Sequence, residues 1–330
     1  MNYLISGLSC HEQVMSARVA TLFAYCLSPV TRFLALLAAA LIPLGAIATD
    51  KQPAVAKARA VKASKAEYNA EGEPNLASSA VVVFDPRTGQ TLYAKNAEQA
   101  HPIASITKLM TAMVVIDSRL DMEEAVALSS EDIDTLKGTK SRLPLGTHFR
   151  RDDLIRIALV ASDNRAAAAL GRAYPGGTPA FVDAMNAKAK VLGLQSTLFV
   201  DASGLSPGNV SSPQDLAKLV SAASGYPMIR EYSTTPAIDI TLPNSKRKVS
   251  FVNTNALVRA SDWQIGLSKT GYISEAGKCL VMHAMIANQP IVIVLLDSWG
   301  KLTRIGDANR IRRWLEKNPG KLALTPLKSG

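Results

Sequence analysis

The sequence predicts one α/β domain with a mainly antiparallel sheet built from both ends of the chain. Three observations carry that reading. "AVVVFDPRTGQTLYAKN" holds two β-rich runs around the turn Asp85-Pro86-Arg87-Thr88-Gly89, the pattern of a hairpin. A block of helical periodicity follows. Three strand-like runs and a last amphipathic helix close the chain, so sequence-distant strands must meet in one sheet.

Each element has its own signal. Helices are expected over 105–119, 152–161, 165–174, 179–192 and 213–223, punctuated by Gly176-Gly177 and Ser212-Pro213. Strands are expected over 263–270, 278–287 and 291–297, and "DANRIRRWLEKN" closes the domain as a helix. Upstream, Arg32 precedes "FLALLAAALIPLGAIA", about the length of a signal h-region and short for a spanning helix. Ala46-Ile47-Ala48 offers a small-residue cleavage site, so 1–48 reads as an export signal, with Met15 an alternative start. Residues 49–75 are rich in Ala and Lys and read as a flexible arm. The folded domain is expected over 76–320, with a short tail at 321–330.

The 330 residues are 48% apolar, enough for a sizeable core, and carry a formal charge of +10. Such a basic chain suits an anionic partner. Aromatics are only 5% and no basic-aromatic interleaving occurs, so no nucleic-acid partner is expected. No H-E-x-x-H, C-x-x-C or acidic calcium loop is present, so neither a metal nor another cofactor is expected. Export would leave Cys279 as the one cysteine; it sits in "KCLVMHAMIA" and reads as a small buried hydrophobe. His101 and His148 read as loop residues and His283 as a strand residue, none of them in a triad.

Chemistry concentrates in three short motifs. S-x-x-K occurs three times, at Ser105/Lys108, Ser245/Lys248 and Ser298/Lys301. Ser245 lies in the polar stretch "LPNSKRK"; Ser298 follows "IVIVLLD" in a turn with Gly300. Only Ser105 opens a helical pattern, where i and i+3 share a face. Ser105 is then either a helix cap or a nucleophile with Lys108 as its base. Ile106, Leu109, Met110, Met113 and Val114 would bury that helix, and burial lowers a lysine pKa toward the range of a useful base. Ser162-Asp163-Asn164 occurs once, at a join between helices, and Lys269-Thr270-Gly271 once, on a strand before Tyr272. Singly, Ser162 reads first as an N-cap and Lys269 as a solvated strand residue.

Together, in this order and on these elements, S-x-x-K, S-D-N and K-T-G resemble the low-molecular-mass penicillin-binding proteins, the serine DD-peptidases. "PIASITKLMTAMVVID", "NRAAAALGRAYPGG", "FVDAMNAKAKVLG" and "LSKTGYISEAGKCLVM" extend the likeness and resemble the endopeptidase branch. The resemblance implies a transpeptidase/β-lactamase-like fold, a five-stranded sheet flanked by helices plus an all-helical lobe, with the site between them. It implies Ser105 as the acylated nucleophile, Lys108 as its base and Ser162 as proton relay to the leaving amine. Asn164, Lys269, Thr270, Gly271 and Tyr272 would bind substrate: Asn164 its backbone amide, Thr270 its carboxylate. Lys269 would depress the Lys108 pKa. The N–H groups of Ser105 and Tyr272 would form the oxyanion hole, and Gly271, lacking a side chain, would let substrate lie on the strand.

The activity so implied is a periplasmic DD-endopeptidase cutting D-alanyl-meso-diaminopimelate cross-links of peptidoglycan, inhibited by β-lactams. A DD-carboxypeptidase would use the same residues. A class A β-lactamase deacylates through a glutamate, and none lies between Glu131 and Glu231. A non-catalytic wall-binding or β-lactam-sensing module is the reading from another class. Protein partners are not legible. The stretch 201–216 reads as a structural loop, and 127–146 as a connection bordering the cleft.

Overall fold

The computed structural model describes residues 67–243 and 245–322. The expected export signal and most of the arm lie outside them. In chain order the strands are β1 Ala80–Asp85, β2 Gln90–Lys95, β3 His101–Pro102, β4 Ala125–Ala127, β5 His148–Arg150, β6 Val210–Ser211, β7 Ala237–Thr241, β8 Lys248–Val252, β9 Gln264–Ile273, β10 Gly277–Ile286 and β11 Gln289–Ser298. The helices are α1 Lys108–Asp117, α2 Arg151–Val160, α3 Asn164–Arg172, α4 Gly177–Val191, α5 Pro213–Ala223, α6 Pro227–Thr234, α7 Thr303–Lys317 and α8 Pro319–Leu322.

The main sheet has five strands in the order β2-β1-β11-β10-β9, every neighbouring pair antiparallel. Its central strands are covered on both faces, which is why they read as unbroken apolar runs without polar alternation. Val292, Val294 and Leu296 of β11 join one core with Ala80, Val82 and Phe84 of β1 and the helices α1 to α5. Ile291, Ile293 and Leu295 join the other with Val81, Val83 and, on α7, Ala308, Ile311, Trp314 and Leu315. The α/β class and the antiparallel sheet are therefore as expected, and β9 is an edge strand.

Three differences from the sequence reading have local causes. Residues 67–75, expected in the flexible arm, pack on the domain: Tyr68 bridges Pro74, Arg313 pairs with Glu67, and Trp314 Nε1 donates to the Gly72 carbonyl. The α6 helix and the β7–β8 hairpin were not expected. The hairpin's strands are five residues each, half exposed, and flank the polar stretch that drew the loop assignment. His101 and His148 sit on the short strands β3 and β5 and not in loops. Cys279 is buried and free, and burial raises its thiol pKa to about 11. Among the described residues, no helix is long and apolar enough to cross a membrane.

Candidate active site

Ser105 stands on a 3-10 turn, Ala104–Thr107, that leads into α1. No side chain caps either the turn or α1, so its hydroxyl is not spent on the helix end. That removes the cap alternative. The turn is held under strain: Ala104 has φ +47°, a left-handed conformation that costs an L-residue about 1–2 kcal/mol. Packing holds it there. A Cβ at Gly204, itself at φ +81°, would lie 2.0 Å from the Ala104 carbonyl oxygen, and Thr107 Oγ1 donates to that same carbonyl at 2.8 Å.

Lys108 follows three residues later and is 1% exposed. Its amine donates to Ser105 Oγ at 2.9 Å, Asn164 Oδ1 at 2.7 Å and the Ser203 carbonyl at 2.6 Å. Burial lowers its pKa from 10.5 to about 7, against the opposing pull of Asp201, Asp163 and Asp134. Half the amines are thus neutral near neutral pH and can accept a proton.

The α2–α3 corner brings in the second motif. Asp163, not Ser162, caps α3, its carboxylate accepting from the Ala166 N–H. Ser162 is left free at φ +60°, and its hydroxyl accepts from Lys269 Nζ at 2.8 Å. Asn164 opens α3, receiving Lys108 on its oxygen and donating from its nitrogen to Thr139 Oγ1 at 2.9 Å.

The third motif lies on β9. Lys269 is 1% exposed, bonded also to the Thr270 carbonyl at 3.0 Å. Burial, then the like charges of Lys108 and Arg304, push its pKa well below the ordinary value. Burial is the first cause of both shifts, and the repulsion between the two ammonium groups is mutual. Thr270 Oγ1 donates to Thr254 Oγ1 at 2.7 Å. Tyr272 is exposed, with Lys278 over its ring at 4.0 Å.

Gly271 has a close neighbour of its own. A Cβ there would sit 2.8 Å from the Ile103 carbonyl oxygen and 3.1 Å from the Ser105 nitrogen. The missing side chain lets the strand close on the serine turn. The 201–216 loop likewise does more than connect. Asp201 gathers the N–H groups of Ser203, Gly204 and Ser206 and the Asn209 amide, which fixes the Ser203 carbonyl on Lys108. Sequence reasoning missed Ser203, Thr139, Thr254 and Arg304. The first acts through its backbone and leaves no signal, and the others lie outside the motifs.

The other two S-x-x-K serines are accounted for. Ser298 ends β11, buried, 2.7 Å from Ser78 Oγ, whose hydroxyl also donates to buried Asp307. Ser245 lies between β7 and β8, its hydroxyl accepting from the Arg247 N–H. All eight residues singled out in the sequence thus converge on one cleft edge, between α1, the α2–α3 corner and β9. Among the described residues, no group of three or more His, Cys, Asp or Glu side chains could hold a metal.

A serine hydroxyl held by a buried, near-neutral amine on a strained turn defines the class: a serine acyl-transfer enzyme built on a Ser–Lys pair. Comparison with known proteins narrows it. The family model described as D-alanyl-D-alanine carboxypeptidase, peptidase family S11, matches residues 67–300. The chain is 45% identical over 244 residues to a D-alanyl-D-alanine endopeptidase of Pseudomonas aeruginosa, covering 74% of this chain and 79% of the relative. It is 43% identical over 254 residues to the Escherichia coli D-alanyl-D-alanine endopeptidase, covering 77% and 82%. The crystal structure of the Streptomyces K15 DD-transpeptidase superposes with a TM-score of 0.68 at 28% identity, over 73% of this chain and 97% of that one. The chain belongs to the S11 peptidase family, the serine D-Ala-D-Ala peptidases.

Proposed function

We propose that this protein is a DD-endopeptidase that hydrolyses D-alanyl-meso-diaminopimelate cross-links of peptidoglycan through an acyl-enzyme on Ser105. The observation that carries the mechanism is the Lys108 amine, 2.9 Å from Ser105 Oγ with a pKa of about 7. Neutral Lys108 takes the hydroxyl proton as Ser105 attacks the D-alanyl carbonyl carbon. The oxyanion is received by the N–H groups of Ser105 and Tyr272, a pair that the close approach of Gly271 to the serine turn supports. As the C–N bond breaks, the proton held by Lys108 passes by way of the Ser162 hydroxyl, oriented by Lys269, to the leaving amine, and Lys108 is neutral again. Asn164 and Thr270 hold the substrate amide and carboxylate. Water then attacks the ester, Lys108 taking its proton and returning it to Ser105. β-Lactams acylate the same serine.

Endopeptidase is favoured over carboxypeptidase by the two relatives so named at 45% and 43% identity. The carboxypeptidase reading is kept by the description of the family model. An export signal over 1–48 and a periplasmic location belong to this proposal, since the substrate lies outside the inner membrane. Purified cross-linked muropeptide dimers and pentapeptide monomers, digested in parallel, test it. Faster conversion of dimers to monomers than release of D-alanine supports the endopeptidase; trimming of pentapeptides with intact dimers leaves the carboxypeptidase.

A further inference from the structure

Lys137 and Glu275, neither of them in the three motifs, meet across the cleft. Lys137 lies on the loop after the 3-10 turn Ser130–Asp132, and Glu275 on the turn joining β9 to β10. Lys137 Nζ donates to Glu275 Oε1, and Ser274 Oγ donates to Oε2 at 3.2 Å. The side chains are 25% and 41% exposed, open to exchange with a ligand. An ion pair so exposed adds little to folding, so its placement asks for another reason.

Each partner is tied to the active site by its own wall. On the helical side, Asp134 accepts from the N–H groups of Leu136, Lys137 and Thr139 at 2.9, 2.9 and 2.8 Å, and from the Thr139 hydroxyl at 2.6 Å. Thr139 Oγ1 in turn accepts from Asn164, which holds Lys108. The loop that projects Lys137 is therefore braced on the side chain beside the base. On the sheet side, Glu275 lies four residues past Gly271, the residue packed on Ser105. Four residues span at most about 13 Å, and less here because the chain turns after Ile273.

The edge strand also sets the direction a bound peptide takes. β9 is buried from Leu267 to Gly271 and opens at Tyr272. A chain laid along that edge leaves the serine toward Glu275. In the donor stem, the residue before the reacting D-alanine is diaminopimelate. Its Cα lies about 3.8 Å from the alanine Cα, and its side chain adds roughly 5 Å before an ammonium and a carboxylate on one carbon. Those charges fall on the order of 10 Å from the scissile carbonyl, the reach of the Lys137–Glu275 pair.

We propose that Lys137 and Glu275 form a subsite for the zwitterionic end of the donor diaminopimelate. Lys137 takes its carboxylate and Glu275 its ammonium, so that one charge-neutral arrangement replaces another. The Lys137 ammonium holds the Glu275 carboxyl below its ordinary range, so it is ionised wherever the enzyme works. The subsite rests on the D-alanyl peptidase reading above and applies equally to a carboxypeptidase.

The test compares kcat/KM on disaccharide pentapeptides with meso-diaminopimelate or L-lysine at the third position. L-Lysine keeps the ammonium and lacks the carboxylate. Wild type should prefer the diaminopimelate stem about tenfold, the scale of one charge-assisted contact. Lys137→Ala should bring that ratio close to one. Glu275→Gln should slow both stems and leave the ratio standing. Because each ratio is taken within one preparation, loss of folded enzyme cancels. A wild type without preference, or Lys137→Ala with the preference intact, overturns the subsite. Dimers are run beside the monomers: intact dimers with the ratios as stated sink the endopeptidase reading and support the subsite.

Discussion

The proton affinity of Lys108 sets a pH profile that can be worked out in advance. The amine is buried, and its pKa stands at about 7 against 10.5 in water. That difference corresponds to roughly 5 kcal/mol of penalty on the ammonium. In the proposed mechanism the neutral amine is the active form, so acylation should rise with pH. About a tenth of the protein is active at pH 6 and about nine tenths at pH 8. The second-order constant for acylation by benzylpenicillin, read by stopped-flow or by fluorescent competition, should climb about tenfold over that interval and then level. An amine at its ordinary value would give a rate still climbing about tenfold per pH unit through pH 9. Lys108→Arg keeps the charge but cannot give up its proton, and should acylate at least about a hundredfold more slowly at every pH tested. A flat profile between pH 6 and 8, or wild-type acylation by the arginine variant, would refute the reasoning.

Three further outcomes follow from particular contacts. Gly271→Ala places a methyl group 2.8 Å from the Ile103 carbonyl oxygen; the serine turn must shift, and the acylation constant should fall on the order of a hundredfold while circular dichroism still reports a folded chain. The penicilloyl enzyme should outlast that of a class A β-lactamase, because the glutamate route to deacylation lacks its residue between Glu131 and Glu231; rapid multi-turnover hydrolysis of a chromogenic cephalosporin contradicts this. Ser298→Ala loses a buried bond to Ser78 and should cost about 1 kcal/mol in urea melts, with acylation unchanged.

The site was legible because each motif keeps its chemistry within three or four residues. What the motifs could not carry was the environment of those residues. Ser105 reads as a cap or a nucleophile until the turn is seen to lack a side-chain cap. Ser162 reads as a cap until Asp163 is seen to take that place. Lys108 needs the Ser203 carbonyl, a backbone atom 95 residues away that side-chain identity does not encode. The central strands were legible because cover on both faces makes them apolar throughout. The β7–β8 hairpin was not, since only Val249 and Phe251 of its ten strand residues are buried. Gly271 was recognised as a place of close approach, and its packing on the serine turn was not legible because that turn lies far away in sequence.

The identity of the acylated serine tests the account most directly. Intact mass after treatment with benzylpenicillin, followed by peptide mapping, reads it without assuming a substrate. The account predicts one adduct, on the peptide containing Ser105, absent from Ser105→Ala and from Lys108→Ala. An adduct on Ser245 or Ser298, or full labelling of the Lys108→Ala protein at neutral pH, would contradict it.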